Sequence, residues 1–464
     1  MTAKEQDLII DTRLIRKYDK LGPRYTSYPT ADRFVEAYDA RTHEGWLAKR
    51  SIGGVTLPLS LYVHLPFCDT VCFYCACNKV VTKDHSRSAK YLRYLGKELD
   101  MTSRLIEGTR RIEQLHWGGG TPTFLSDDEM TELIGMIGEH FEFSPQGEYS
   151  IEIDPRSVDA ARFAVLAKLG FNRVSLGVQD FNPEVQKAVN RIQPEEQTFE
   201  AVAAARANNM KSVSIDLIYG LPKQNVITFN QTMDRVIELS PDRIALYNYA
   251  HLPGMFKPQR RIAEAELPSP EAKLQILTLA IHRLTEAGYV YIGMDHFAKP
   301  EDELNLARKQ GRLHRNFQGY STHRECDLLA FGISAISKIG PVYAQNVRTL
   351  DEYYHRLDHD ELPVLRGIEL TPDDVVRRAV IQALMCHFEV SLESINIAYL
   401  IDFNRYFAEE LEALAMFAED GMVTIDDQWI SVTPRGRLLV RAIGMVFDRY
   451  LRQGEERARF SKVI

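Results

Sequence analysis

The chain has 464 residues, of which 45% are hydrophobic and 26% are charged, and this composition is typical of a folded protein with a large core. Its formal net charge of −8 argues against a broad nucleic-acid-binding or membrane-binding surface, although it leaves room for a local basic pocket. The N-terminal stretch lacks the apolar segment of a signal peptide, and the best membrane-spanning candidate, "LLAFGISAISKIG", is short and contains Lys338. The sequence therefore predicts a cytoplasmic protein of enzyme size.

The first segment in chain order, 1–50, is predicted to be an N-terminal arm. Its stretch "KLGPRYTSYPTA" has two prolines and no helical periodicity, so we expect a loop or an extended cover. The arm is either a lid over a site or a segment that only packs against the main domain.

Short apolar runs rich in β-forming residues follow, and helical patterns separate them. They lie at 59–66, 114–120, 148–155, 173–180, 212–220 and 243–250. In the intervening segments, Leu92, Leu95 and Leu99 repeat at helical spacing, and Ser126 with Glu129 forms a capping-box pattern. This alternation predicts parallel βα units, arranged in a barrel or in an open doubly wound sheet.

Polar motifs follow these predicted strands. They read "WGGGTPT", "EIDP", "VQD" and "IDLIYGLP". Because ligands bind at the carboxyl ends of parallel strands, we expect these motifs to meet at one edge of the sheet.

The first predicted strand leads directly into "FCDTVCFYCAC" (67–77), which contains four of the six cysteines. Cys68, Cys72 and Cys75 form a C-x3-C-x2-C motif, which can bind three irons of a cubic iron–sulfur cluster and leave the fourth iron open for a small molecule. Structural zinc is the alternative, but it usually needs a second ligand pair, and the sequence offers no matching one. Cys77 is a competing ligand, although its spacing fits a role beside the substrate better.

The character of the sequence changes near residue 340. The segment "TPDDVVRRAVIQALMCHFEV" begins with a Thr–Pro helix start, and "MVTIDDQWISVTPRGRLLVRAIG" predicts a hairpin followed by a helix. We therefore predict a catalytic domain at 51–340 and a mainly helical C-terminal domain at 341–464.

The cysteine motif, with Tyr74 before its third cysteine, resembles that of the radical S-adenosylmethionine enzymes. More narrowly, the chain resembles the family within them that acts on coproporphyrinogen III without oxygen. That resemblance rests on "GPRYTSYPTA", "YVHLPFC" with Cys77 and "NK" after it, "LHWGGGTPT", "GMDHFAKP" and "LHRNFQGYST". It covers the chain from about residue 15 to its end, and it implies an α/β fold, a partial (β/α)6 TIM-like barrel.

The resemblance also implies an activity, its cofactors and its partners. A [4Fe–4S] cluster and S-adenosylmethionine, in two molecules, would generate a 5′-deoxyadenosyl radical, which converts two propionates of coproporphyrinogen III to vinyl groups and yields protoporphyrinogen IX. The enzyme would be a monomer with a flavodoxin- or ferredoxin-like electron donor and a separate electron acceptor. Two alternatives stay open: a haem chaperone, which typically lacks both Cys77 and the arm motif, and another radical reaction on the same fold.

The same resemblance assigns site residues. Tyr62 and Cys77 would serve catalysis, and Cys68, Cys72 and Cys75 would bind the cluster. The residues expected to contact S-adenosylmethionine are Tyr62, Tyr74, Gly119, Gly120, Thr121, Glu152, Gln179, Arg191 and Asp216, with Ala250, Phe317 and Ile336 at the second molecule. In isolation each has an ordinary structural explanation, such as a helix cap for Glu152 or a solvated charge for Arg191, and His64 and His116 are expected to be structural.

Overall fold

A computed structural model describes residues 8–50, 56–323, 326–452 and 462–463. The chain forms two compact units, each built from separated segments. We call Phe34–Ile276 with Glu325–Glu369 the barrel unit, and Met1–Arg33 with Leu277–Arg324 and Leu370–Ile464 the terminal unit. The predicted division into an arm at 1–50, a catalytic domain at 51–340 and a C-terminal domain at 341–464 stays a prediction.

One sheet is the framework of the barrel unit. The strands that this unit contributes to it are, in spatial order, Val364–Glu369, Val342–Asn346, Ile336–Ile339, Asp327–Phe331, Leu59–Leu65, Arg111–Gly119, Glu142–Ile153, Arg173–Gln179, Ser212–Tyr219 and Arg243–Asn248.

The six predicted strands are confirmed, and they pair side by side in parallel and in chain order. This is the arrangement of a (β/α)6 unit, so the predicted fold class is confirmed as well. Asp327–Phe331 adds a further parallel strand beside Leu59–Leu65, and three antiparallel strands extend the sheet beyond it. The sheet therefore continues past residue 340, as far as Glu369.

A helix precedes the first strand of the barrel unit, and others follow its strands. They are Ala40–Ala48, Ser86–Leu105, Asp127–His140, Ala160–Lys168, Pro183–Ala188, Glu195–Ala207, Val226–Leu239 and Leu350–Asp358, and Pro270–Glu286 contains the boundary between the two units. The predicted leucines at 92, 95 and 99 are fully buried on one helix face. The Ser126–Glu129 capping box is confirmed in both of its hydrogen bonds, so this local signal fixes where that helix begins.

The terminal unit is mainly helical with short hairpins. Its helices are Thr12–Tyr18, Glu303–Lys309, Pro372–His387, Leu392–Tyr399, Phe403–Tyr406, Ala408–Glu419, Val440–Gly444 and Arg449–Arg452. Its strands are Val290–Gly293 with His296–Ala298, His314–Asn316 with Gly319–Ser321, and Glu389–Ser391 and Val423–Ile425 on either side of Trp429–Val432. The predicted Thr–Pro helix start and the C-terminal hairpin are confirmed.

The arm is irregular between Tyr18 and Ala31, as its sequence predicts. Tyr25 and Tyr28 are nevertheless each only 1% exposed, and the Tyr25 hydroxyl donates a 3.0 Å hydrogen bond to Asp448. These two tyrosines of the arm therefore belong to the hydrophobic core of the terminal unit.

Among the residues that the structure describes, no helix is both long enough and apolar enough to cross a membrane.

Candidate functional site

The cysteine loop leaves the first strand of the barrel unit and closes on itself. Cys68 ends a two-residue strand, Phe67–Cys68, that pairs in parallel with Val80–Val81. The amide of Thr82 donates to the Cys68 carbonyl at 2.9 Å, and Lys79 Nζ donates to the Cys75 carbonyl at 3.2 Å. All four cysteines of the loop are free thiols. The loop thus holds the thiols of Cys68, Cys72 and Cys75 within electrostatic reach of one another.

Several donors approach the sulfur atoms. Thr121 Oγ1 lies 3.5 Å from Cys68 Sγ, and Arg156 Nη2 and Arg191 Nη1 lie 3.7 and 3.6 Å from Cys72 Sγ. Hydrogen bonds and positive charge near sulfur stabilise thiolates and tune iron–sulfur centres. No three His, Cys, Asp or Glu side chains of the described ranges surround a position for a single metal ion. Free thiols with donors aimed at sulfur fit a cluster bound through three thiolates.

The glycine loop after the strand Arg111–Gly119 packs tightly against the cysteine loop. The Gly120 amide donates to the Leu65 carbonyl at 2.8 Å, and the Thr121 amide donates to the Phe67 carbonyl at 2.8 Å. A Cβ on Gly120 would lie 2.6 Å from backbone atoms of Pro66 and Phe67, so only glycine fits there. The predicted Gly119, Gly120 and Thr121 therefore lie directly beside the thiols.

Glu152 links the glycine loop to two histidines. Its carboxylate accepts a 3.1 Å hydrogen bond from the Gly119 amide and lies 3.3 Å from His116 Nε2. Partial burial raises the pKa of Glu152, but His116, the Gly119 amide and His64 outweigh it and hold that pKa below its usual value. Glu152 is therefore an anion at neutral pH.

Tyr62 occupies the middle of this group. Its hydroxyl is 3.1 Å from His64 Nδ1, and its ring stacks on His116 at 5.8 Å between centroids. His64 Nε2 in turn lies 2.9 Å from the Asn78 carbonyl, in the segment after the cysteines. The two histidines are members of the site that sequence reasoning set aside. The available signal for His64 was its position two residues after Tyr62 on the same strand, whereas His116 lies opposite Tyr62 on the neighbouring strand.

Arg191 joins the thiols to the ends of two strands. It donates to Asp154 Oδ2 at 3.2 Å and to the Gly177 carbonyl at 2.6 Å, and it is 7% exposed. Its Nε is buried and has no hydrogen-bond partner among the described residues, so one donor is available to a ligand. Asp154 and Arg156, which are ion-paired at 2.7 Å, were not predicted as site residues, although the "EIDP" motif contains the aspartate.

Asp216 and Gln179 lie on neighbouring strands. Partial burial and the charge of Glu152 raise the pKa of Asp216 to about 7, and Arg191 offsets this only in part. Gln179 ends its strand with φ 68, and the Asp180 amide donates to the Val178 carbonyl at 2.9 Å. This γ-turn directs the chain away from the sheet at the site.

The remaining predicted residues are less closely gathered. Tyr74 packs on a buried apolar cluster that includes Val189 and Tyr249, and its hydroxyl is within electrostatic reach of Arg191. Ala250 follows the strand Arg243–Asn248, and Ile336 begins the strand Ile336–Ile339. Phe317 belongs to the terminal unit, in the turn between His314–Asn316 and Gly319–Ser321.

Comparison with known proteins gives two family matches. The radical SAM superfamily matches residues 62–236, and the HemN C-terminal domain matches residues 370–439. The chain is 52% identical to the oxygen-independent coproporphyrinogen III oxidase of Pseudomonas aeruginosa over 98% of each protein, and 48% identical to that of Escherichia coli over 99% of each. A solved structure, described as coproporphyrinogen III oxidase (HemN) from Escherichia coli, a radical SAM enzyme, aligns with TM-score 0.91 and 47% identity over 96% of this chain and 100% of that one.

Proposed function

The chain belongs to the oxygen-independent coproporphyrinogen III oxidases of the radical S-adenosylmethionine superfamily, and from this premise we propose which of its residues perform the reaction. The enzyme oxidatively decarboxylates two propionates of coproporphyrinogen III to vinyl groups and gives protoporphyrinogen IX. Its cofactors are a [4Fe–4S] cluster and S-adenosylmethionine, which when bound supply the 5′-deoxyadenosyl radical that removes hydrogen from a propionate.

Cys68, Cys72 and Cys75 bind the cluster in this proposal. The observation that supports it best is the set of donors on sulfur: Thr121 toward Cys68, and Arg191 with Arg156 toward Cys72. These donors offset the negative charge that three thiolates bring into a partly buried loop.

Residues at and after the carboxyl ends of the parallel strands of the barrel unit hold S-adenosylmethionine. Gly119 and Gly120 present backbone without a Cβ to its methionyl amino group, and Thr121 adds its backbone in the same loop. The free Arg191 Nε suits the methionyl carboxylate, and Gln179, Asp216 and Glu152 offer hydrogen-bonding groups to its hydroxyls and amine. Tyr74 packs beside the adenine.

Tyr62 and Cys77 act on the substrate side. Tyr62 is fixed by its contacts with His64 and His116, so its hydroxyl has a defined position. Cys77 is exposed and lies two positions beyond the last cluster ligand, which places a thiol hydrogen donor at the edge of the loop. Neither residue is needed to bind the cluster.

A second S-adenosylmethionine contacts Ala250, Phe317 and Ile336. A flavodoxin- or ferredoxin-like protein supplies the electron, a separate acceptor removes one, and the enzyme works as a cytoplasmic monomer. The domains 1–50, 51–340 and 341–464 remain our proposed division of the chain.

Anaerobic reconstitution tests the function directly. The protein, reloaded with iron and sulfide and then reduced with S-adenosylmethionine and coproporphyrinogen III, should yield 5′-deoxyadenosine and protoporphyrinogen IX by mass spectrometry. Cofactor cleavage without vinyl products would point to a different substrate. A parallel incubation with haem covers the chaperone alternative, which predicts stable haem binding and no decarboxylation.

A further inference from the structure

Charged side chains from three segments of the terminal unit cluster around Asp295. Arg24 Nη1 donates to Asp295 Oδ2 at 2.5 Å, and Arg315 Nε donates to the Arg24 carbonyl at 3.3 Å. Arg441 completes the cluster, but its guanidinium is committed to backbone carbonyls, at Pro23, Lys462 and Val463 and also at Gly22. Three guanidinium groups therefore share the neighbourhood of one carboxylate.

This imbalance of charge affects the pKa values of Asp295 and Arg441. Burial raises the pKa of Asp295, but Arg24, His296, Arg315 and Arg441 together hold that pKa below its usual value. Burial, helped by the positive charges of Arg24 and Arg315, lowers the pKa of Arg441 to about 10. Because the protein as a whole is acidic, this local excess of positive charge is not a general property of its surface.

Arg315 has an unused donor inside the cluster. The residue is 3% exposed, its Nη1 has no hydrogen-bond partner among the described residues, and its guanidinium lies 4.8 Å from the centroid of the Tyr320 ring. Its backbone is fixed by Gln382, which accepts from the Arg315 amide at 3.4 Å and donates to its carbonyl at 3.1 Å. A buried guanidinium N–H without an acceptor is unfavourable, and a carboxylate oxygen is the acceptor that arginine binds best.

We infer that Arg24 and Arg315 form a carboxylate-binding site in which Asp295 competes with the ligand for Arg24. The inference rests on the proposed function, which offers two sources of a carboxylate. One is a propionate of the tetracarboxylate substrate. The other is the methionyl carboxylate of the second S-adenosylmethionine, because Phe317 lies two positions after Arg315 in the same hairpin.

The competing explanation is that Arg24 and Asp295 simply attach the arm. The two explanations predict different effects of Asp295→Asn on the affinity for a carboxylate ligand. If the pair only attaches the arm, losing the carboxylate lowers the stability of the terminal unit and raises the affinity for no ligand. If Asp295 competes with the ligand, the same change frees Arg24 and strengthens carboxylate binding.

The experiment measures binding to the reconstituted, anaerobic holoenzyme. Coproporphyrin III, the chemically stable oxidised form of the substrate, is titrated by absorbance, and S-adenosylmethionine is measured by equilibrium dialysis. We expect Arg315→Gln to lower the affinity for one of the two ligands by about tenfold, as for loss of a charge-assisted hydrogen bond. We expect Asp295→Asn to strengthen the same ligand several-fold. Arg315→Lys, which keeps the charge without the planar fork, should weaken that ligand less than Arg315→Gln and replaces it if the glutamine variant does not fold.

A matched control uses Asp327, which forms a 2.8 Å buried pair with Arg50 in the barrel unit. Asp327→Asn should lower thermal stability without strengthening either ligand. An effect limited to coproporphyrin III identifies the substrate as the source, and an effect limited to S-adenosylmethionine identifies the cofactor. The inference is wrong if Asp295→Asn raises the affinity for neither ligand, or if the Arg315 variants leave both affinities unchanged. If the wild-type holoenzyme binds neither ligand, the proposed function itself fails and the site falls with it.

Discussion

Cys75 and Cys77 are separated by one residue, yet their surroundings differ. The Cys75 carbonyl is held by Lys79, and the Cys75 thiol is only partly exposed, whereas Cys77 is exposed. A hydrogen bond with Cys77 lowers the pKa of Cys75 to about 6, and the same interaction raises the pKa of Cys77 well above its usual value. Two chemically identical side chains therefore favour opposite protonation states.

The first prediction compares these two neighbours. Cys75→Ala, like Cys68→Ala or Cys72→Ala, should abolish the broad iron–sulfur absorbance and all 5′-deoxyadenosine formation, because each removes a cluster ligand. Cys77→Ser should retain full absorbance and lose turnover. Iron content, visible spectra and cofactor cleavage are measured on each variant. Cluster loss in a well-folded Cys77→Ser protein would make Cys77 a ligand and remove the open iron.

At the scale of elements, the γ-turn at Gln179 depends on a buried polar network. The Asp180 carboxylate accepts hydrogen bonds from the Asn182 amide at 2.6 Å, from Gln224 Nε2 at 2.5 Å and from Thr232 Oγ1 at 2.8 Å. A non-glycine residue with positive φ is strained, and its neighbours must hold it in place. Asp180 is thus a positioning residue for Gln179.

The second prediction is a double-mutant cycle. Asp180→Asn should weaken S-adenosylmethionine binding by about tenfold in the wild-type background and much less in a Gln179→Ala background, because its effect passes through Gln179. Equilibrium dialysis measures both. Glu98→Gln, which alters a carboxyl that is 3% exposed elsewhere in the barrel unit, is the control and should leave the affinity unchanged. Equal effects of Asp180→Asn in both backgrounds would show a general structural role instead.

Glu98 connects the helix Ser86–Leu105 to the antiparallel strand Val342–Asn346. It also makes the stability of the protein depend on pH. Its carboxylate accepts from the Gly332 amide, from Asn346 Nδ2 and from the Tyr353 hydroxyl. Burial outweighs these three donors and raises the pKa of Glu98 to about 7. The folded protein therefore keeps a proton that the unfolded chain releases from about pH 4.3 upward, so this group lowers stability as pH rises from about 4.3 through the folded pKa of about 7, and the loss levels off above it.

The third prediction follows from that sign. Between pH 6 and pH 8 the Glu98 carboxyl should cost the wild-type protein about 1 kcal/mol of stability, and Glu98→Gln, which does not titrate, should lack this loss. Thermal unfolding at both pH values measures the difference in melting temperature. An identical pH dependence in the two proteins would mean that Glu98 is ionised throughout.

At the scale of the whole molecule, local patterns predicted the elements but not the contacts between distant segments. Apolar runs and capping boxes mark strands and helix starts, because neighbouring residues decide both. The pairs Arg24–Asp295 and Tyr25–Asp448 join residues hundreds of positions apart, and nothing in either short segment encodes its partner. The same limit explains why His116 was missed, because only the register of adjacent strands brings it to Tyr62. His64 lies two positions after Tyr62 on the same strand, where local spacing was a usable signal.

The fourth prediction concerns deletion of residues 1–30. A lid would be removed without other damage, but Tyr25 and Tyr28 are core residues, so their loss should destabilise the terminal unit. Hydrogen exchange should increase in peptides from Leu277–Arg324 and Leu370–Ile464, while peptides from Ser212–Tyr219 stay protected. Equal loss of protection in both units would show that they unfold together. Arg24→Gln is therefore the better variant for testing the arm in catalysis.

The contact between Tyr25 and Asp448 also has a consequence for biosynthesis. The two residues are 423 positions apart, and a ribosome adding 5 to 20 residues per second needs about 20 to 85 s to make the second after the first. Throughout that interval the nascent chain exposes two tyrosines that end in the core. A premature stop before Arg441 would leave them without their partners permanently, so truncated products should be substrates for chaperones and proteases even when the cysteine loop and the parallel strands are complete.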